Sequence, residues 1–531
     1  LIDELKPQDS VRGRPTAGWT DGTRKEIMDE IEKWVDGPES PNILWLNGFP
    51  GVGKSAIVRK LVTNLKSSHR LGSSFFFQRE LSSVQTPAAL WRTVAFDLAR
   101  QYPSARNAIV TKLKDDEVDL EIADADELFL SLVEEPLKYS TNIPPGRLPV
   151  IVIDAVDECG GFDGSQSKHR SVLLRGLKAW TRLPSQFKMV VTSRPEGDIF
   201  KTLSPVSYPI ELASGMKVSA SSSRDIHLFL SREFYRIAEN YEFLSPTWPG
   251  AEAIREYTKR SAGLFIYADT LIKFVDEGQP VEQLQRVLRD TVDHENLTNL
   301  YGHILSVSFK DPSTTVLEEF RKVTGTIILA KTPLRRQDVS DLLGIGRIDL
   351  EYICQRLRSV LDAGDVLRFT HQSFADFLVS SHGCPPQFQF HKANQSHTLV
   401  LESLRVMECL RFNICNIETS YVTNDNIPDL ELRVHDNISA HLQYACCFWT
   451  DHIRATDFSV KIAQKVENFM TTKLLNWLEV LSLLRKVNSV KDGLASVIAW
   501  SKVRDCYNEY LEYVMDTMIS CRLIVMILRI S

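Results

Sequence analysis

The apolar run Ile43-Leu-Trp-Leu-Asn passes directly into Gly48-Phe-Pro-Gly-Val-Gly-Lys-Ser55. Gly48, Gly53, Lys54 and Ser55 fill every fixed position of G-x-x-x-x-G-K-[ST]. Glycines at these points let backbone N–H groups turn inward around a phosphate, where a Cβ would obstruct them. Lys54 would bring a positive charge to β- and γ-phosphates, and the Ser55 hydroxyl would hold Mg²⁺. Phe49, Pro50, Gly51, Val52 and Ala56 complete the candidate phosphate-binding set. Behind it, Ile57, Val58, Leu61, Val62 and Leu65 form one apolar face of a helix whose N-terminus favours anions. Strand, loop and helix in this order predict a nucleoside di- or triphosphate site. The alternative is a glycine-rich turn with no ligand.

Two further apolar runs end in groups able to do chemistry. Val150-Ile-Val-Ile leads into Asp154, then Ala-Val, then Asp157 and Glu158. A carboxylate at the carboxyl end of a buried strand, beside a phosphate loop, can hold the Mg²⁺ shell through water. Asp157 and Glu158 lie just beyond, placed to orient or deprotonate a water attacking a γ-phosphate, and the spacing does not choose between them. Alone, Asp-x-x-Asp-Glu would read as a solvated acidic turn. The run Met189-Val-Val-Thr-Ser-Arg-Pro195 ends in Arg194, which can reach a γ-phosphate and tell triphosphate from diphosphate. The competing reading of Arg194 is an exposed structural arginine.

These groups must be positioned by a sheet. The short runs Ile43–Leu46, Ser74–Phe77, Val150–Ile153, Met189–Thr192 and Tyr208–Leu212 alternate with helical stretches, which implies a mostly parallel α/β sheet covered on both faces. A helix from about Arg24 to Val35, with Ile27, Ile31 and Trp34 on one face, precedes the first run, and Tyr139–Pro149 reads as a loop. Strand signals fade after the serine patch Ser219–Ser223. From Asp225 onward the chain reads as helical, with a strand-like Val366–Thr370 and an apolar, buried helix at Lys473–Leu484. The expected organisation is a lead-in at 1–40, a P-loop domain at 41–215, a small helical domain at 216–292, a winged-helix domain at 293–385 and a further all-α region at 386–531.

Composition narrows the class. The 531 residues, 43% hydrophobic and 24% charged, match a globular chain of roughly three to four domains. A net charge of −6 gives no support for a nucleic-acid surface. Nine cysteines without C-x-x-C pairs indicate neither a zinc site nor a disulfide framework, and Cys446-Cys447 reads as core. No signal peptide opens the chain, the first residue is not Met, as expected of a fragment, and Met518–Ile530 is too short to span a bilayer. A cytoplasmic protein is expected.

At this point the motifs add up to a resemblance. Gly48–Ser55, Ser73-Ser-Phe-Phe-Phe77, Ile153-Asp-Ala-Val-Asp-Glu158 and Val191-Thr-Ser-Arg-Pro195 together resemble a NACHT domain, of the STAND class of signal-transducing P-loop ATPases. The small Ala155 after Asp154, followed by Asp and Glu, separates NACHT from many other P-loop groups. The similarity is strongest to NLR-like fungal NACHT proteins, also described as having a nephrocystin-like N-terminal P-loop domain. It continues through Gly22-Thr-Arg24, Ala262-Gly-Leu-Phe-Ile-Tyr267 and Leu367-Arg-Phe-Thr-His-Gln-Ser-Phe-Ala-Asp-Phe-Leu378, covering residues 20–380. The resemblance implies that helical and winged-helix domains close over bound ADP. Gly263, Leu264 and Phe265 would line the nucleotide, and His371 would contact its diphosphate. Phe265 stands where many relatives have proline. Relatives often begin with an effector domain and continue into a sensing repeat array, and neither is visible here.

The leading expectation is therefore an ATP/ADP switch with Mg²⁺, in which exchange controls opening and self-oligomerisation and slow hydrolysis resets the state. A conventional P-loop ATPase acting on a macromolecule and a helical scaffold recruiting protein partners are the alternatives. No Asn-Lys-x-Asp element for guanine occurs in the chain.

Overall fold

The computed structural model describes residues 2–7, 11–12, 19–37, 41–114, 120, 123–138, 146, 148–161, 167–289, 296–362, 364–380, 383–419 and 422–501. Most of the expected loop at 139–149 and the whole of Met518–Ile530 lie outside them. The chain divides into two compact units, Leu1–Ile304 with Thr370–Ser373, and Leu305–Phe369 with Phe374–Ser531.

The first unit is built on five parallel strands, β1 (Ile43–Gly48), β2 (Leu71–Phe76), β3 (Val150–Asp154), β4 (Lys188–Ser193) and β5 (Tyr208–Leu212). Their order in the sheet is β2-β3-β4-β1-β5, and each of the five expected runs falls within or against one of them. The register pairs Trp45 with Val191 and Ile151 with Met189. Because side chains alternate along a strand, Ile43, Trp45, Ile151, Ile153, Met189 and Val191 enter one core, while Leu44, Leu46, Val150, Val152 and Val190 enter the other. The first core includes Trp91, Phe129 and Trp180; the second includes Ile31 and Trp34 of α1 (Lys25–Asp36) and Ile57, Val58 and Leu61 of α2 (Lys54–Ser67). Burial on both faces explains why the strands read as continuous apolar runs rather than as alternating ones.

The sheet is followed by helices at Ala220–Asn240, Ala251–Ser261, Phe265–Asp276 and Pro280–Arg289. The serine patch opens the first of these helices. Ser219 caps the first of these helices by accepting from the N–H of Ser222 at 3.1 Å, and Ala220–Ser223 form its first turn. The second unit is also helical. Val366–Thr370 makes no strand there; Val366 and Phe369 form only isolated antiparallel bridges to Arg335 and Leu361. The expected buried helix is Leu474–Leu483, and although Trp477, Leu478 and Leu481 are buried, Leu475 is 60% exposed.

One close approach in the first core sets its packing. A Cβ on Gly176, in the helix Lys168–Ala179, would lie 2.8 Å from Cζ2 of the fully buried Trp91. Gly176→Ala is expected to cost about 1–3 kcal/mol through overpacking, visible as a lower Tm. Adding Trp91→Phe should recover part of that loss, and a double variant no better than additive would show that the two side chains do not compete for this space.

Candidate functional site

β1 ends at Gly48 and α2 begins at Lys54, so the five residues between them form the loop. Gly51 has φ +81°, a conformation L side chains rarely adopt, and a Cβ there would lie 2.0 Å from Cγ2 of Ile266. The approach is tight because the Ile266 N–H donates to the Gly51 carbonyl at 3.1 Å. Lys54 Nζ donates to the carbonyls of Gly48 (2.8 Å) and Phe49 (3.1 Å), which holds the ammonium inside the loop. Burial pulls the Lys54 pKa down, opposed by the charges of Asp157 and Asp154. Val52 is buried and Phe49 is 60% exposed.

The carboxyl ends of β3 and β4 supply the acids. Asp154 is buried, accepts from the Thr192 hydroxyl, and is also hydrogen-bonded by Ser55. Burial raises its pKa, while those two hydroxyls and Lys54 oppose the rise. Thr192 Oγ1 in turn accepts from the N–H of Ala155 (2.9 Å), which has φ +56° and turns the chain sharply after the strand. Asp157 is held by Arg194 through both carboxylate oxygens: the Arg194 N–H donates to Oδ1 at 3.0 Å, and Nε lies 3.1 Å from Oδ2. Glu158 accepts from the Arg79 N–H at 3.2 Å. Its pKa is pushed up to about 8, first by burial and then by the neighbouring charge of Asp157.

Sequence reasoning missed what fixes this turn. Arg170 is 1% exposed, donates to the carbonyls of Asp157 and Cys159, and pairs with Glu196 and, at 3.7 Å, with Asp198. It ties the Asp157–Cys159 backbone to the segment following Arg194. Its only sequence signal is a lone arginine on a helix downstream, which carries no spacing rule.

The helical part of the first unit closes on the other side of the loop. Gly263 has φ +85°, and a Cβ there would meet Val218 Cγ2 at 2.8 Å and the Ala213 carbonyl at 3.0 Å. The turn through Gly263 and Leu264 starts the helix Phe265–Asp276 at the loop, and a Cβ on Gly53 would lie 3.9 Å from Phe265. Arg24 lies over the Phe265 ring at 4.9 Å, donates to the Val52 carbonyl (2.7 Å) and Ser222 hydroxyl (2.6 Å), and its own N–H donates to Asp225 (3.0 Å). His371 Cε1 lies 3.8 Å from the position of that Cβ on Gly51. Ala56 follows Ser55 in the first turn of α2. The candidate residues from the loop, from β3 and β4, from Gly263–Phe265 and from His371 thus fall around one place. The difference from the sequence reading is that Asp157 and Arg194 engage each other.

The donors suit Mg²⁺. A hydroxyl and a buried carboxylate are hard oxygen ligands, already within hydrogen-bond reach of one another, and Mg²⁺ commonly takes one or two protein oxygens with the rest from water and phosphate. Among the described residues no group of three or more His, Cys, Asp or Glu could hold a metal by itself.

Residues 22–194 match the model of the family described as Nephrocystin 3, N-terminal. The vegetative incompatibility protein HET-E-1 of Podospora anserina is 25% identical over 539 residues, covering 92% of this chain. The chain spans 37% of that relative's length. Among solved structures, a STAND protein with a tetratricopeptide repeat sensor from Pyrococcus horikoshii aligns at 11% identity with a TM-score of 0.40, over 96% of this chain and 72% of its own. Cdc6p from Pyrobaculum aerophilum aligns at 13% identity with a TM-score of 0.30, over 75% of this chain and 97% of its own. The complete phosphate loop, the acidic turn after β3 and the matches to the Nephrocystin 3 N-terminal family over residues 22–194 and to HET-E-1 together support a NACHT/STAND P-loop NTPase.

Proposed function

We propose that this chain is a nucleotide-operated signalling switch that binds ADP or ATP, exchanges one for the other to open and self-associate, and hydrolyses ATP slowly. The observation that supports this best is the convergence on Gly51: Lys54 lies inside the loop, Ile266 donates to its backbone, and His371 stands over it. A phosphate held there would be contacted by chain segments more than three hundred residues apart in sequence. Its loss would remove a shared partner from all of them, which is how a ligand biases one conformation over another.

Each group has a role by chemistry. Lys54 and the loop N–H groups hold the phosphates, with Arg24 and Phe265 walling the side toward the base. Ser55 and Asp154 hold Mg²⁺, which when bound neutralises phosphate charge. Between the two acids after β3, Glu158 is the better general base. Asp157 has both oxygens committed to Arg194, whereas Glu158 has a proton affinity close to the working pH. Asp157 sets the direction of Arg194, and Arg194 answers a γ-phosphate. Vegetative incompatibility, which the name of HET-E-1 states for that protein, is one process such a switch could serve.

Lys54→Ala and Ser55→Ala each remove one charge-assisted contact, so affinity for ATP and ADP should fall by about tenfold or more, ~1.5–3 kcal/mol. Titration calorimetry with Mg²⁺ measures it. Two folded variants with parental affinity for both nucleotides would overturn the proposal.

Glu158→Gln should leave ATP binding intact and slow hydrolysis by about a hundredfold or more, because an amide cannot accept the proton. In the parent the rate should rise with pH through the neutral range as Glu158 ionises. The same group sets a stability trend in nucleotide-free protein. Its folded pKa, about 8, exceeds the ordinary 4.5, so the folded state binds the proton more tightly. Stability contributed by Glu158 is therefore present below about pH 4.5 and is lost as pH rises through about 8. Melting curves at several pH values should show that decline, and Glu158→Gln should flatten it. A parental pH slope in the variant would show that Glu158 is not the titrating group.

A further inference from the structure

A short hydrogen-bond chain stands behind His371. The Ser373 N–H lies 3.1 Å from His371 Nδ1, the Ser373 hydroxyl lies 2.7 Å from the same nitrogen, and the Tyr301 hydroxyl lies 2.7 Å from Ser373 Oγ. Tyr301 is 1% exposed and Ser373 8%. All three residues belong to the unit that holds the phosphate loop.

The direction of every bond in this chain follows from one fact. A backbone N–H can only donate, so Nδ1 carries a lone pair and not a proton. A serine oxygen 2.7 Å from that lone pair must turn its own hydrogen toward it, since two lone pairs at this distance repel. The Ser373 hydroxyl has a single proton and has now used it. Tyr301 therefore donates to Ser373, and the proton of the neutral imidazole sits on Nε2.

We propose that Tyr301 and Ser373 are positioning residues that hold His371 as its Nε2–H tautomer, so that the ring offers a neutral N–H donor to a diphosphate oxygen in the loop. The proposal rests on the reading of that loop as a nucleotide site and adds the residues that prepare the histidine for it. Free histidine divides its neutral form between two tautomers and rotates. Here the donor is oriented before the ligand arrives, which reduces the ordering that binding would otherwise require. The burial of both hydroxyls makes the relay an all-or-none arrangement, because removing one leaves its neighbour without that partner inside the protein. Neither residue needs to touch the nucleotide.

The test uses the full chain with ¹⁵N-labelled histidine, His371→Gln identifying the His371 signals by their loss. The parent should show an unprotonated Nδ1 and a protonated Nε2 at His371, and Tyr301→Phe should mix the tautomers. Release of a fluorescent ADP analogue gives the second readout. Tyr301→Phe and Ser373→Ala should each release it about fivefold faster than the parent, whereas Ser373→Thr, which keeps the hydroxyl, should not. In a His371→Gln background the side-chain amide keeps an N–H near the Nε2 position but has no tautomers, so adding Tyr301→Phe should change nothing further. An equal acceleration by Tyr301→Phe in both backgrounds would make Tyr301 merely structural and overturn the proposal, as would a parental His371 protonated on Nδ1. Failure of the nucleotide reading itself looks different. Parent and Lys54→Ala would then fail alike to retain the analogue, while the tautomer spectrum would still decide whether the relay exists.

Discussion

Lys54, Asp154, Asp157 and Arg194 gather beside the carboxyl ends of three adjacent strands, the two acids buried and the two cations partly so, and the rest of the site is arranged around the need to pair them. A charge buried alone costs several kcal/mol, and it is tolerated only with an opposite charge and hydrogen bonds on its remaining sites. Each member of the cluster meets that condition differently. Lys54 is held by two loop carbonyls, with two carboxylates opposing its loss of charge. Asp154 has hydroxyls from Thr192 and Ser55. Asp157 takes both a backbone and a side-chain donor from one arginine. Arg170, in the layer beneath, satisfies the carbonyls of the turn that presents Asp157. The strands β1, β3 and β4 must lie side by side for this to work, which makes the sheet order a condition of the chemistry.

Much of that frame was legible in the residues themselves. Burial on both faces leaves a parallel strand as an unbroken apolar run, so Ile43–Leu46, Val150–Ile153 and Met189–Thr192 announced β1, β3 and β4 to within a residue or two. The loop was legible because phosphate binding by backbone N–H groups needs a fixed spacing of glycines. The serine patch at 219–223 marked where the strand signals fade but did not reveal the helix it starts, because serine is favoured both in turns and at helix N-caps. The strand-like Val366–Thr370 misled because β-branched and aromatic residues mark a pleated surface, and here too few partners align for a ladder. Arg170 and Tyr301 were invisible, since they act on residues 11 to 72 positions away through contacts no local period encodes, and Ser373, two residues from His371, shows its role only with Tyr301 behind it.

The departure from the family pattern at Phe265 has a consistent local account. Proline at a helix start would fix φ and give up an N–H; phenylalanine instead offers a ring, and Arg24 lies over it at 4.9 Å while Phe229 packs beside it at 6.1 Å. The same guanidinium donates to the Val52 carbonyl, so one side chain ties the lead-in segment, the loop and the start of the helix at Phe265. This side of the loop is thus lined by a ring stacked under a cation.

The two sides of the loop differ in kind, and the difference matters to the proposed switch. From the sheet side the contacts are charged: Lys54, Arg194 and the carboxylates that steer them. From the helical side, apart from the Arg24 guanidinium stacked on Phe265, they are neutral: the Ile266 N–H, the Phe265 ring and, as proposed, an imidazole held uncharged through Ser373 and Tyr301. Charged groups respond to how much negative charge a ligand carries, and so distinguish a triphosphate from a diphosphate. Neutral donors respond mainly to whether a phosphate oxygen is present in the right place. In the proposed switch, counting charge on one side and sensing occupancy on the other would let the two nucleotides bind the same loop while biasing the helical side differently. A protein with only the charged half would hold ATP and ADP in one shape, and a ligand with equal preference for two shapes shifts neither.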